Sequence, residues 1–189
     1  MEERLRFGVK PLLLGLVALL ILACGPCGLL SGAVPTPPRP VVVSTDAAGL
    51  LESRVEQSIE GQTGQPFILT MTDSEVTSLA AIELAKYDES PVTEPRIWFS
   101  QGKIHGTGNL VNVLPIETSV YVAVAAWVEG QQLLVEIEEA SAGSFPLPDS
   151  VLDMISQSIS ETVDEIQLHV EVTGLEIREG EATLYGIRK

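Results

Sequence analysis

The residues suited to chemistry are few: two histidines, His105 and His169, two cysteines, Cys24 and Cys27, and a run of acids at Glu136, Glu138 and Glu139. Each histidine is expected in a strand, on its outward face, with no Cys or His at ligand spacing. Both therefore read as surface residues rather than metal ligands. The three glutamates form an acidic patch at a strand end that could hold a cation loosely, but the sequence has no EF-hand loop. In a chain with 26 acids against 11 bases, no pair of carboxylates stands out for glycosidase-type acid–base work. Gly-x-Ser-x-Gly, a phosphate-binding Gly loop and His-Glu-x-x-His are missing. The chain thus reads as no enzyme, with no catalytic residues, no metal and no cofactor.

The cysteines form Cys24-Gly-Pro-Cys27, letter for letter the active-site tetrapeptide of thioredoxin. In that family the motif sits between a buried strand and a helix whose N-terminus lowers the first thiol's pKa. Here it follows an apolar run, no Trp precedes it, and residues 28–38 carry no helix pattern. Membrane-edge cysteines or a lipidation site fit better than redox catalysis. With no other cysteine, the rest of the chain forms no disulfide and depends on its own core.

No charged residue lies between Lys10 and Arg39, and Leu12 to Leu30 is 19 residues, close to the roughly 20 that cross a bilayer core as a helix. Arg4, Arg6 and Lys10 precede the run and only Arg39 follows closely, so the positive-inside rule keeps residues 1–10 in the cytoplasm and exports the remainder. Residues 11–30 are expected to be a single-pass anchor. The same residues support a cleaved lipoprotein signal, since Ile21-Leu-Ala-Cys24 resembles a lipobox with Cys24 as the lipidated residue. A secretory signal peptide is the third reading. All three place the domain outside the cytoplasm.

Residues 31–40 include Val34-Pro-Thr-Pro-Pro-Arg-Pro40, which favours extended polyproline II and is expected to act as a semi-rigid spacer of about 3 Å per residue. Residues 41–189 are expected to form one α+β domain large enough to bury a core. With the two acids and three bases of the first ten residues set aside, 24 acids and 8 bases remain. That excess is the wrong sign for binding nucleic acid or an anionic membrane surface.

The expected order is helix, strand, helix, four strands, helix, two strands. Ala47–Ile59 carries Ala48, Leu51, Val55 and Ile59 along one stripe. Pro66–Met71 reads as a strand, and Thr72 with Glu75 has capping-box spacing for a helix to about Ala85. Three hairpins follow, punctuated at Gln101-Gly102, Glu129-Gly130 and Glu179-Gly180, where tight turns need positive φ. Between the second and third lies an amphipathic helix, Asp149–Ile166, with Ser150 and Asp153 as a loose capping box. Val120, Val122, Val124, Ala126 and Val128 alternate with the weakly polar Tyr121, Ala123, Ala125 and Trp127, which predicts a strand covered on both faces. Gly106 and Gly108, at alternate positions, either leave a trough or make room for Trp98 or Trp127.

Phe67–Leu79, then Ile97–Gly106, then Gly143–Pro148 before an amphipathic helix resemble the bacterial single-pass proteins grouped as YpmS-like and, more distantly, the LmeA-like exported proteins. The resemblance implies a tubular lipid-binding (TULIP-like) architecture: an antiparallel sheet of hairpins, curled around a long helix, with acyl chains in the gap. It implies a membrane-tethered, non-catalytic module for a lipid or other amphiphile. On the expected elements the cavity would be lined by Leu69, Ile97, Phe99, Leu110, Val122, Val124, Val151, Ile155 and Ile159. The alternative is a structural or partner-binding ectodomain of the cell envelope with a filled core.

Overall fold

Ser44 opens the first helix of the domain: its hydroxyl accepts the backbone N–H of Ala47, satisfying one of the donors that a helix start leaves unpaired. The structure, a computed structural model, describes residues 34–189 except 61, 87–91, 112–117, 144 and 148, and only the backbone of 59, 150, 154, 158 and 165. The expected anchor at 11–30, the Cys24–Cys27 pair and the side chain of Ser150 therefore lie outside the described residues. Among those described, no helix is long and apolar enough to cross a membrane.

The elements are α1 (Thr45–Ile59), β1 (Pro66–Thr72), α2 (Asp73–Ala85), β2 (Val92–Ser100), β3 (Lys103–Leu110), β4 (Thr118–Glu129), β5 (Gln132–Ala142), the short β6 (Phe145–Pro146), α3 (Asp149–His169), β7 (Val170–Arg178) and β8 (Glu181–Arg188). The class is α+β with antiparallel sheets, in the expected order with β6 added. The strands form two sheets rather than one, three-stranded β1-β8-β7 and five-stranded β2-β3-β4-β5-β6. The division follows from a long-range pairing: β1 runs beside the last strand, from Pro66↔Ile187 to Thr72↔Glu181. Hairpin punctuation reports only local pairings, so it gave no sign of this one.

The capping box at Thr72 forms as its spacing predicts. Thr72 Oγ1 accepts the Glu75 N–H at 3.4 Å, and Glu75 Oε2 accepts the Thr72 N–H at 2.9 Å. The first hairpin turns at Gln101 and Gly102, with φ of 53° and 74°. In the second, the residues with positive φ are Gly130 and Gln131, at 58° and 67°, which corrects the expected Glu129-Gly130. Glu129 still pairs with Gln132 as the last rung of the ladder. In the third only Gly180 is left-handed, at 88°.

Three apolar clusters hold the domain. Leu51 of α1 meets Phe67, Leu69, Val170, Val172 and Leu184 of the three-stranded sheet. Leu110, Val120 and Ala142 of the five-stranded sheet meet Leu147 and Val151 under the start of α3. On the opposite face Trp98, Tyr121 and Ala123 pack together with Val34 against them. The first half of β4 is thus buried on both sides, as its composition predicts, but Trp127 near its end is 41% exposed.

Residues 34–40 fall in the segment 31–40 expected to be a semi-rigid spacer, and Val34 packs on the domain. The segment lies on the domain as a strap and belongs to the same compact unit, Ala33–Lys189. The Val42 N–H donates to Ser74 Oγ at 3.1 Å and the Ser44 N–H to Ser78 Oγ at 3.0 Å. Prolines preset the extended backbone, so less chain entropy is lost when the strap docks.

Candidate functional site

The five-stranded sheet has an open edge at β2, and unpaired strand edges need cover. Here polar side chains of α2 provide it. Thr77 Oγ1 donates to the Ile97 carbonyl at 2.9 Å and accepts the Ile97 N–H at 2.8 Å, while Asp73 Oδ1 accepts the Phe99 N–H at 2.8 Å. This is why α2 buries Asp73 and Thr77, while Ser78 is buried under the strap, where it accepts the Ser44 N–H. The Phe99 carbonyl accepts from the Gly180 N–H at 2.9 Å and from Arg39 Nη2 at 3.0 Å. Arg39 also reaches Asp73 Oδ2 at 3.3 Å and Glu179 Oε2 at 3.1 Å. Glu179 Oε1 accepts from the Gln101 N–H and the Ser100 hydroxyl. The Gln101 N–H, Arg39 and Ser100 together hold the Glu179 carboxyl below the usual range. The cluster joins the strap, α2 and two hairpin turns, and its carboxylates are committed to donors, so it serves as a joint.

His105 is not the outward surface residue expected. Its ring stacks on Trp98 at 5.2 Å and 11° and lies 6.0 Å from Tyr121. Nε2 sits 3.1 Å from the Ser100 carbonyl, which can only accept, so Nε2 carries a proton; in the neutral ring Nδ1 then accepts from the Tyr121 hydroxyl at 2.8 Å. Burial, then the charge of Glu139, raises the Tyr121 pKa against the opposing pull of Lys103. The sequence signal was available: Trp98, His105, Ala123 and Tyr121 fall on one face once β2, β3 and β4 are in register. His169 is the last residue of α3, not a strand residue, and is exposed. Glu138 pairs with Lys103. Among the described residues no three His, Cys, Asp or Glu side chains converge as a metal site would need.

Cross-strand partners share a face, so the registers place Ile97, Phe99, Leu110, Val122 and Val124 together on the side of the sheet that carries the α3 cluster. Val151 and Ile155 of α3 pack against Leu110 and Val120 there. Val124 and Ile159 line a cavity of about 240 Å³ between α3 and the β4–β5 hairpin, with Val135, Ile137 and Leu152. Glu136, Ser156 and Ser160 give this cavity a polar side. A Cβ on Gly106 would meet nothing within 4 Å, so a trough does open on this face, whereas one on Gly108 would lie 2.7 Å from Val92 Cγ1. Gly108 thus admits the β2 backbone and Val92, not a tryptophan. Leu69 stands apart from the other expected lining residues, in the core of the three-stranded sheet.

A larger recess, about 1,080 Å³, lies between the strap, the end of α2 and the start of β2. Its walls include Val41, Val43, Leu84, Pro95, Arg96 and Val111. A spacer at residues 31–40 would leave this recess without a wall, so it exists only because the strap docks. No family model and no curated protein matches the chain.

Proposed function

We propose that this chain is a membrane-tethered, extracytoplasmic module that binds a lipid or other amphiphile and does no catalysis. In this reading residues 11–30 are the tether, with Cys24 as the lipidation site if the segment is processed, and α3 lies along a curled sheet with an acyl chain between them. The observation that carries the reading is the cavity of about 240 Å³ between α3 and the β4–β5 hairpin, apolar along Val124, Val135, Ile137, Leu152 and Ile159. It is smaller than the roughly 300–1,000 Å³ that encloses a drug-sized ligand, which suits one stretch of acyl chain rather than a whole phospholipid. Each methylene buried there contributes about 0.8 kcal/mol, without any specific polar partner.

A second reading, a structural or partner-binding ectodomain, is favoured by Phe145 and Leu168, each 74% exposed. Native mass spectrometry of residues 33–189 purified from a bacterial host, followed by solvent extraction, separates the two. A stoichiometric adduct that yields a lipid supports binding. A bare protein that stays bare after incubation with phospholipid vesicles removes the binding reading and leaves the ectodomain one.

A further inference from the structure

The start of β2 departs from regular strand geometry, and the departure aims a side chain. Val92 pairs with Leu110 and Arg96 with Thr107, with a register shift between Thr93 and Arg96. In a regular strand residues 92 and 96 share a face. Here Val92 joins the cluster under α3, while Arg96, two residues from Trp98 and opposite Thr107, lies on the strap side. Glu94 takes φ of 49° to make this bulge, a conformation that is strained for a residue with a side chain. Gly108 lets it press in, since a Cβ there would lie 3.2 Å from the Thr93 carbonyl. Bulges of this kind often re-aim a side chain beside a binding site.

The side chain so aimed is a cation without a partner among the described residues. Arg96 is exposed, and no described residue forms an ion pair or a hydrogen bond with its guanidinium. In a chain of net charge −15 with only 11 bases, that is unusual. It lines the recess beneath the strap, whose other walls are largely apolar: Val41, Val43, Leu84, Pro95 and Val111. The acid on the same wall, Glu94, is held by Asn109 Nδ2 at 3.4 Å, and Arg39 is already engaged by Asp73 and Glu179.

We propose that the recess beneath the strap binds a long-chain carboxylate, with its alkyl chain against Val41, Val43, Leu84 and Pro95 and its carboxylate on Arg96. One guanidinium fork matches one carboxylate, and a recess of about 1,080 Å³ accommodates a chain the α3 cavity would hold only in part. The two sites are separate, so either stands without the other.

The test uses the full chain in phosphatidylcholine nanodiscs, labelled with a diazirine analogue of palmitate and with the matching alcohol, and mapped by peptide mass spectrometry. The acid should label the strap and the end of α2, and the alcohol should label them at about a tenth of that level, the fold-change expected for one charge-assisted contact. Arg96→Gln should reduce acid labelling by about tenfold and Arg96→Lys should retain most of it. Equal labelling by acid and alcohol, no effect of Arg96→Gln, or labels confined to other peptides would overturn the proposal. Ile159→Trp, which fills the α3 cavity, should remove labels from α3 and leave those of the strap. Loss of the α3 labels alone, or their absence throughout, bears on the α3 reading and not on this one.

Discussion

Two strand glycines mark the contrast between the halves of this domain. Gly186 of β8 stands opposite Phe67 of β1, and a Cβ added to it would lie 2.5 Å from Phe67 Cε1 and 2.9 Å from the Glu171 carbonyl. Gly106 of β3 stands opposite Ile97 and Val122, and a Cβ there would meet nothing within 4 Å. One glycine is a seat for an aromatic ring and the other faces open space. The three-stranded half is filled around Leu51, Phe67 and Leu184, while the five-stranded half carries the cavity and the recess. The residue type is the same in both places; the difference lies in what crosses over it.

The largest effect expected from this contrast is at Phe67. Phe67→Ala should cost about 3–5 kcal/mol in denaturant unfolding, because a buried ring leaves a cavity that its neighbours fill only in part. Gly186→Ala should cost about 1–3 kcal/mol by overpacking. A double-mutant cycle should couple the two by about 1 kcal/mol or more, since removing the ring frees the space. Additive effects would mean that the ring does not seat on Gly186. Gly106→Ala should act in the opposite direction and stabilise by about 0.5–1 kcal/mol, because alanine loses less backbone freedom on folding and meets no neighbour. A destabilised Gly106→Ala would show that the trough is already filled, and the contrast would collapse.

The smallest effect concerns pH. Burial pushes the Glu75 carboxyl up, but the guanidinium of Arg54 at 2.6 Å and the N–H and hydroxyl of Thr72 together outweigh it and hold it below its ordinary value of 4.5. The carboxyl of Glu179 is held down as well. Below about pH 4.5 the unfolded chain takes up these protons first, so stability present above that pH is lost as pH falls through the folded values. Glu75→Gln with Glu179→Gln should flatten the acid limb of the stability curve. An unchanged limb would place the acid sensitivity elsewhere.

Much of the local structure was legible. The Thr72–Glu75 capping box, the apolar stripe of α1 and the hairpin at Gln101-Gly102 are short-range devices whose physics acts within a few residues. The β2 bulge, the cover of its edge by Thr77 and Asp73, and the partners of Arg39 were not. Each joins residues more than ten and up to 140 positions apart, and no spacing rule reaches so far. The His105 stack lies between these cases, visible only once two hairpins are set in register.

By itself the sequence determined the α+β class, the order of helices and strands, the absence of disulfides in the domain and the apolar face of β4, because propensity, capping and period-two patterning are local properties of the chain. The tertiary structure decided that the strands divide into two sheets, that residues 34–44 form a strap, that Gly106 faces space while Gly186 holds a ring, and that Arg96 faces an apolar recess. Those outcomes depend on which segments cross one another, and burial and close contact are fixed only when distant parts of the chain meet.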